Sequence, residues 1–586
     1  MKWGVAPSFA GYRRADLPRD AVAGLTVWAV LVPESLAYGT IAGVPPVVGL
    51  YAAVPALALH ALLGTSRQLV VSPMSATAAL SIGVVATVSS NPDDVVGLTT
   101  ALALATGLVA IGAGLLRLGF LASFISEPVL KGFIIGLALT ILIGQVPDLL
   151  GISKSSGNFV EKTWHIVTHL NQLDGLTTAA GLLSLAALVV LRRFVPLLPG
   201  SLIVALGGIL VTAVFSLQDQ GLEIVGHIDP GLPSVGLPDF AWSDFPALIG
   251  GAVGVMLVGF AEGLGAAKIY AAKNGYDVDA DHELLGLGVS NLGAGLASGM
   301  VVNGSLSKTA VNGSAGARSQ ISGLTAAALT LVTLLFLTGL FEKLPEATLA
   351  AVVIAAVVEL VDISSLRRLW RVRAGRVVHT YQLTARADFV AAAAALLGVL
   401  LFDTLPGLVI GIGASLILLI ARTSRPHVAA LAPVDDRRGS PWVDVARSGL
   451  TPPAGVVVVR VEAPLMFANA DSVRTRVREL ATEAANGPGG LKLVVLDGSS
   501  SPSIDVTAAG MLTQLRDDVR RLGGELVLSD NIGQVRDVLS TAEESGEPRM
   551  FATLDEALAS ISPGGTSDPG LSPGTGEPPT AGPAAT

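Results

Sequence analysis

Long apolar runs, divided by short polar breaks, fill the chain up to residue 421. Runs fit to cross a bilayer lie at 20–41, 47–64, 73–89, 97–116, 120–146, 175–195, 200–216, 246–269, 284–300, 305–315, 320–340, 345–361, 386–402 and 404–421. At ~20 apolar residues per full crossing they predict about fourteen membrane helices, two of them short. The pattern changes after Pro426. Residues 426–454 read as a polar, Pro-containing linker. From 455 to 562, short Val/Leu-rich strands alternate with amphipathic helices, which predicts a small α/β domain. GVVVVRVEAPLMFANAD reads as two strands and a turn, LKLVVLDGSS and GELVLSD as strands. DSVRTRVRELATEAA, AAGMLTQLRDDVRRLG (ending at Gly523) and IGQVRDVLSTA read as helices. Residues 563–586 carry Pro, Gly, Ser and Thr without periodicity and read as a disordered tail. The predicted architecture is an all-α polytopic domain over 1–425, followed by the linker, the α/β domain and the tail.

Charge placement orients the spans. Arg67, Arg117, Arg192, Arg193, Lys268 and Lys273 follow even-numbered spans, as does the cluster Arg367, Arg368, Arg371, Arg373 and Arg376. Asp93 and Asp94 follow span three, and the 217–245 loop holds five acids and no Lys or Arg. Cationic loops favour the cytoplasmic side. The expectation is a multi-pass protein of the cell (inner or plasma) membrane with both termini in the cytoplasm. The polar start, MKWGVAPSFAGYRRADLPRD, reads as no cleaved signal peptide.

Composition narrows the chemistry. The chain is 51% hydrophobic and 14% charged, against about 25% charged in soluble proteins. There is no cysteine among the 586 residues, so disulfides, thiolate metal sites and cysteine nucleophiles are excluded. The histidines are scattered without ligand spacing, so neither metal nor other cofactor is expected. No basic run suits nucleic acid, and no nucleophile–base–orienter set suggests an enzyme.

An internal repeat marks a site. VVSPMSATA at 70–78 matches VVNGSLSKTA at 301–310, which places Ser75-Ala76-Thr77-Ala78 on Ser307-Lys308-Thr309-Ala310, 232 residues apart. VPESLA in span one matches GFAEGLGA in span eight, which places Glu34 on Glu262, 228 residues apart. Seven spans separate the copies, so the second is inverted in the membrane, as in many secondary transporters. Each string opens on helix breakers, Ser72-Pro73 or Asn303-Gly304, followed by a short helix. A helix starting at mid-membrane leaves N–H groups without partners and turns a positive dipole end toward the site. Two such ends facing each other suit a small anion. Ser75, Thr77, Ser305 and Ser307 offer hydroxyl donors. Lys308 costs roughly 2.5–3.5 kcal/mol to place at mid-bilayer. It is either the charge that meets the anion or half of an ion pair with Glu34 or Glu262. Glu34, beside Pro33, and Glu262 are candidate carriers of a coupling ion, a proton or Na+, or structural acids. Lys268 and Glu359 lie near span ends and read as interfacial.

The run LPRDAVAGLTVWAVLVPESLAYGTIAGVPPVVGLYAAVPALALHALLGTSRQLVVSP resembles the first signature of the sulfate permease (SulP) family, relatives of the solute-carrier anion exchangers and prestin. NLGAGLASGMVVNGSLSKTAVNGSAGARSQISGL resembles the second signature, and LKLVVLDGSSSPSIDVTAAGMLTQL the core of a STAS domain. The resemblance spans about residues 10–560. It implies two inverted seven-helix repeats, in which a core of spans 1–4 and 8–11 moves as an elevator against a gate of spans 5–7 and 12–14. It also implies a lipid-embedded homodimer, a STAS domain used in assembly and regulation, and substrates among sulfate, bicarbonate, chloride, oxalate and dicarboxylates. The family's site falls on Glu34, Tyr38, Ser75, Ala76, Glu262, Ser307 and Lys308. Many members carry Gln where this chain has Glu34, and an acid there fits proton symport. Many carry Arg where it has Lys308, and lysine lacks the planar fork that grips two oxygens. Val506 stands where soluble anti-sigma antagonists have a phosphorylated Ser, with Thr507 beside it. The expected function is proton-coupled uptake of sulfate or a related small anion. The alternatives are a passive channel, exchanger or voltage-responsive motor, and a nucleobase permease.

Overall fold

A computed structural model describes residues 7–560, apart from 10, 90, 121–125, 156, 196–198, 229, 359–360, 362–378, 403, 436, 438, 531–532, 534, 536 and 538–547. Glu359, the 367–376 arginine cluster, most of the 532–542 helix and the 563–586 tail lie outside the described residues. The chain forms two compact units, one from residues up to 374 with 383–418, the other from the remainder.

Each expected span is a helix. They are α1 (Leu17–Ile41), α2 (Val47–Leu63), α3 (Ser75–Val88), α4 (Val95–Leu115), α5 (Glu127–Leu150), α6 (Gly175–Phe194) and α7 (Gly200–Phe215). The second set is α8 (Phe245–Asn274), α9 (Ala280–Leu296), α10 (Leu306–Ser314), α11 (Ile321–Phe341), α12 (Glu346–Val358), α13 (His379–Phe402) and α14 (Thr404–Thr423). Seven of the described helices, α1, α4 and α5 among them, have both the length and the apolar composition to cross a bilayer. Boundaries follow local chemistry. Pro18 sits in the first turn of α1, where a missing N–H costs nothing. Gly275 ends α8 at φ +69°, a left-handed cap. A π-helical turn at Thr333–Leu337 interrupts α11, and Trp28 of α1 donates to Thr333 Oγ1 there at 3.0 Å.

The helices sort into two bundles. α1–α4 pack with α8–α11, chiefly α9 on α2 and α4, α11 on α1 and α2, and α8 on α3 and α4. α5, α6 and α12 pack together. Ala392 of α13 presses its backbone against Gly132 of α5, where a Cβ would lie 2.0 Å from the Ala392 carbonyl oxygen. The bundles meet where α1 touches α7 and α12, and where α3 touches α5. Two features did not show in the sequence pattern. Phe159–Thr168 forms a ten-residue helix opened by an Asn158–Glu161 capping box. Two three-residue strands, β1 (Val70–Ser72) and β2 (Asn303–Ser305), precede α3 and α10.

The C-terminal unit holds a six-stranded sheet ordered β4-β3-β5-β6-β7-β8. β3 (Val428–Pro433) and β4 (Trp442–Asp444) form its antiparallel edge. β5 (Val456–Val461), β6 (Leu493–Asp497), β7 (Glu525–Ser529) and β8 (Arg549–Phe551) run parallel. Residues 428–433 and 442–444 are therefore strands, a correction to the linker reading. Ala429 and Leu431 are buried at alternate positions, a period too short to stand out beside Pro433. The second strand expected after β5 is reduced to one bridge, Leu465 to Ile504. α15 (Ala470–Ala485) and α16 (Val506–Arg521) cover one face and α17 (Leu554–Ala559) the other. Asp505 caps α16, leaving Val506 85% exposed beside exposed Thr507. Asp518 makes hydrogen-bonded pairs with Arg474 and Arg521, and these hold its carboxyl below the usual range.

Candidate functional site

The site is built on the meeting of β1 and β2. They pair antiparallel, Val70 opposite Ser305, Val71 opposite Gly304 and Ser72 opposite Asn303. Opposed strands send the helices that follow them out from opposite ends of the ladder, in opposite directions. The approach needs glycine. A Cβ on Gly304 would lie 2.7 Å from Gly263 Cα, and one on Gly259 would fall 0.9 Å from Asn303 Nδ2. Further bonds bind the crossing. Val70 N–H donates to Thr309 Oγ1 at 3.0 Å, and Asn312 Nδ2 to Gln68 O at 2.9 Å.

The two helix starts differ. Met74 leads into α3 in extended conformation with no side-chain cap. The first bond of α3 is Ala78 N–H to Met74 O, 2.9 Å. Among the described residues, nothing accepts from the N–H groups of Ser75, Ala76 and Thr77, whose side chains are buried. Thr77 Oγ1 donates back to Met74 O. At α10, Ser305 Oγ accepts from Lys308 N–H at 3.3 Å and lies 3.2 Å from Ser307 Oγ. Ser305 is buried and Ser307 exposed.

Lys308 is the centre of the charge arrangement. It is 1% exposed. Its Nζ lies 3.0 Å from Glu34 Oε2, donates to Pro73 O at 3.0 Å and sits 4.9 Å from the Tyr38 ring centre. Tyr38 OH donates to the same Glu34 oxygen at 3.1 Å, one turn along α1. So a residue of α10 reaches over the start of α3 to a carboxylate on α1. The ion pair left open between Glu34 and Glu262 is made with Glu34. Glu262, half-buried on α8 between Gly259 and Gly263, has no hydrogen bond or ion pair among the described residues, though it feels the Lys308 charge. Pro33 has no N–H to donate into α1 beside Glu34.

Several supporting residues were not singled out from the sequence. Asp20 of α1 accepts from Arg318 N–H, Ser319 N–H and Ser319 Oγ. Glu283 of α9 accepts from Thr65 N–H and Ser66 N–H and faces His60 Nε2 at 3.0 Å. These buried acids fix the turns after α10 and before β1. An acid near a span end was the available signal, but it reads equally as interfacial. Thr309, the repeat partner of Thr77, was visible in the alignment of the two strings. No group of His, Cys, Asp and Glu suited to a metal occurs among the described residues.

A model of the sulfate permease family matches residues 17–381, and a STAS domain model matches 450–557. A probable sulfate transporter of Mycobacterium tuberculosis is 35% identical over 554 residues, covering 94% of this chain and 96% of the relative. Sulfate transporter 4.1, chloroplastic, of Arabidopsis thaliana is 31% identical, covering 90% and 76%. Murine Solute Carrier 26 family member A9, an anion transporter solved in its inward-facing state, superposes with a TM-score of 0.84 at 22% identity, covering 94% and 93%. The transmembrane domain of a cyanobacterium bicarbonate transporter gives 0.57 at 23% identity, covering 69% and 98%. Both structures share the fold.

Proposed function

Because the chain belongs to the sulfate permease family, we propose that this multi-pass membrane anion transporter takes up sulfate or a related small oxyanion together with a proton. The observation that carries the reading is the Lys308–Glu34 contact at 3.0 Å. Paired as they stand, the Glu34 carboxylate neutralises Lys308. A proton on Glu34 cancels that pairing and leaves the Lys308 charge free for an anion. The anion then lies against Lys308, the bare N–H groups of Ser75, Ala76 and Thr77, and the hydroxyls of Ser305 and Ser307. The Tyr38 hydroxyl holds Glu34 in place. Proton and anion thus favour each other's binding, which is the thermodynamic content of symport. Glu262 supplies a second ionisable position for the proton or for Na+. A passive exchanger or channel has no need for a carboxylate clamped on its anion-binding base.

The division into an eight-helix bundle holding the site and a second bundle beside it supports an elevator motion of one against the other. The loop charges support cytoplasmic termini in the cell membrane, and the STAS unit fits assembly of a homodimer. The test is uptake in proteoliposomes across a panel of labelled anions, with and without a pH gradient. Uptake that ignores the gradient removes proton coupling; a panel without any transported anion removes the transport reading itself.

A further inference from the structure

A cleft of about 370 Å³ opens where the two bundles meet, between α1, α3, α5 and the Phe159–Thr168 helix. One wall is a single face of α3, Ala79, Ile82, Gly83 and Ala86, at helical spacing. Ala79 is four residues past Ser75, on the same face of α3 and ~6 Å along the axis. The α3 wall of the cleft therefore begins one turn beyond the start of α3. Its walls are mostly apolar, with Ile141 and Gly144 of α5 opposite α3.

The cations Lys154 and Lys162, His165 and the acid Asp148 all line its mouth. Lys154 is taken by Asp148 at 3.0 Å, and His165 Nε2 lies 3.1 Å from Ser153 O. Lys162 is different. It is half-buried, and its side chain has no hydrogen bond or ion pair among the described residues. The neighbouring acid, Glu161, accepts from the Asn158 N–H at 3.0 Å. A cation without an ion-pair partner over low-dielectric walls draws anions, and such clefts raise local anion concentration and capture rate by about 10- to 1,000-fold in favourable cases.

We propose that this cleft is a loading vestibule and that Lys162 captures the anion before it reaches the start of α3. The proposal rests on the transport reading above and adds a second, peripheral anion position. It predicts a one-sided effect, because the mouth lies on the face where α1, α3 and α5 end.

The test uses the full chain in proteoliposomes of known orientation, with initial rates of labelled sulfate and bicarbonate measured from each side at low and high salt. Lys162→Ala should raise KM on the order of tenfold from the Lys162 side alone, leave kcat unchanged and flatten the salt dependence. Lys162→Arg should restore both KM and the salt dependence, and Lys162→Glu should exceed the Ala effect. An unchanged KM in Lys162→Ala, or equal losses from both sides, overturns the vestibule while leaving transport intact. A wild-type protein that moves neither anion overturns the transport reading and the vestibule with it.

Discussion

The two half-helices share a frame and divide the work. α3 and α10 are fed by paired strands in one small sheet, yet α3 runs 14 residues and α10 only nine. α3 carries no charge and no side-chain cap, and its first three N–H groups have no acceptor among the described residues. α10 is capped by Ser305 and carries Lys308. Their flanking acids differ as well: Glu34 is locked onto Lys308, and Glu262 makes no such bond. The two copies share a strand-then-helix backbone, and under the proposed transport reading their side chains differ so that α10 supplies the charge and α3 only its helix start.

Removing the charge should break this division most severely. Lys308→Ala leaves Glu34 buried without its base, a loss of about 3–5 kcal/mol of stability, and abolishes uptake; thermal unfolding and flux check both. Glu34→Gln/Lys308→Met should recover much of the stability and none of the uptake. Wild-type anion affinity in Lys308→Ala would assign the lysine to structure alone. Glu34→Gln comes next. It swaps a charged contact worth roughly 1.5–3 kcal/mol for a neutral one, so anion-dependent acidification should vanish while anion protection against unfolding remains. Unchanged proton flux would take Glu34 out of the mechanism.

Two smaller pairs of changes sharpen the contrast. Gly259→Ala must push Asn303 and β2 aside, at about 1–3 kcal/mol, and should lower both Tm and anion affinity. Gly83→Ala on α3 meets no atom within 4 Å and should cost neither stability nor fold. Ser305→Ala removes a helix cap, worth ~1 kcal/mol, and should weaken anion binding about fivefold in a titration. Ser75→Ala removes no cap and should do less. Equal effects at the two serines would erase the asymmetry.

Hydropathy placed a helix at each expected span, and seven of them are long and apolar enough to cross a bilayer. The repeat strings also exposed Ser75, Thr77, Ser305 and Lys308, since helix breakers ahead of small residues are unusual inside a span. The choice of ion-pair partner was not legible. Glu34 and Glu262 occupy matching positions in the repeat, and only the three-dimensional path of Lys308 over Pro73 selects one. β1 and β2 were hidden by their length: three residues carry no period. The roles of Asp20 and Glu283 depend on turns far away in sequence, after α10 and before β1, which local pattern does not report.

The three-rung ladder between β1 and β2 has a mechanical consequence. Together with Thr309, Asn312 and Lys308 it stitches the halves of the pocket across more than 230 residues of chain. A seam closed by backbone bonds does not unzip each time a solute passes. On the elevator reading proposed above, the binding chamber travels or is uncovered as one piece, past the surfaces it touches on α5, α7 and α12.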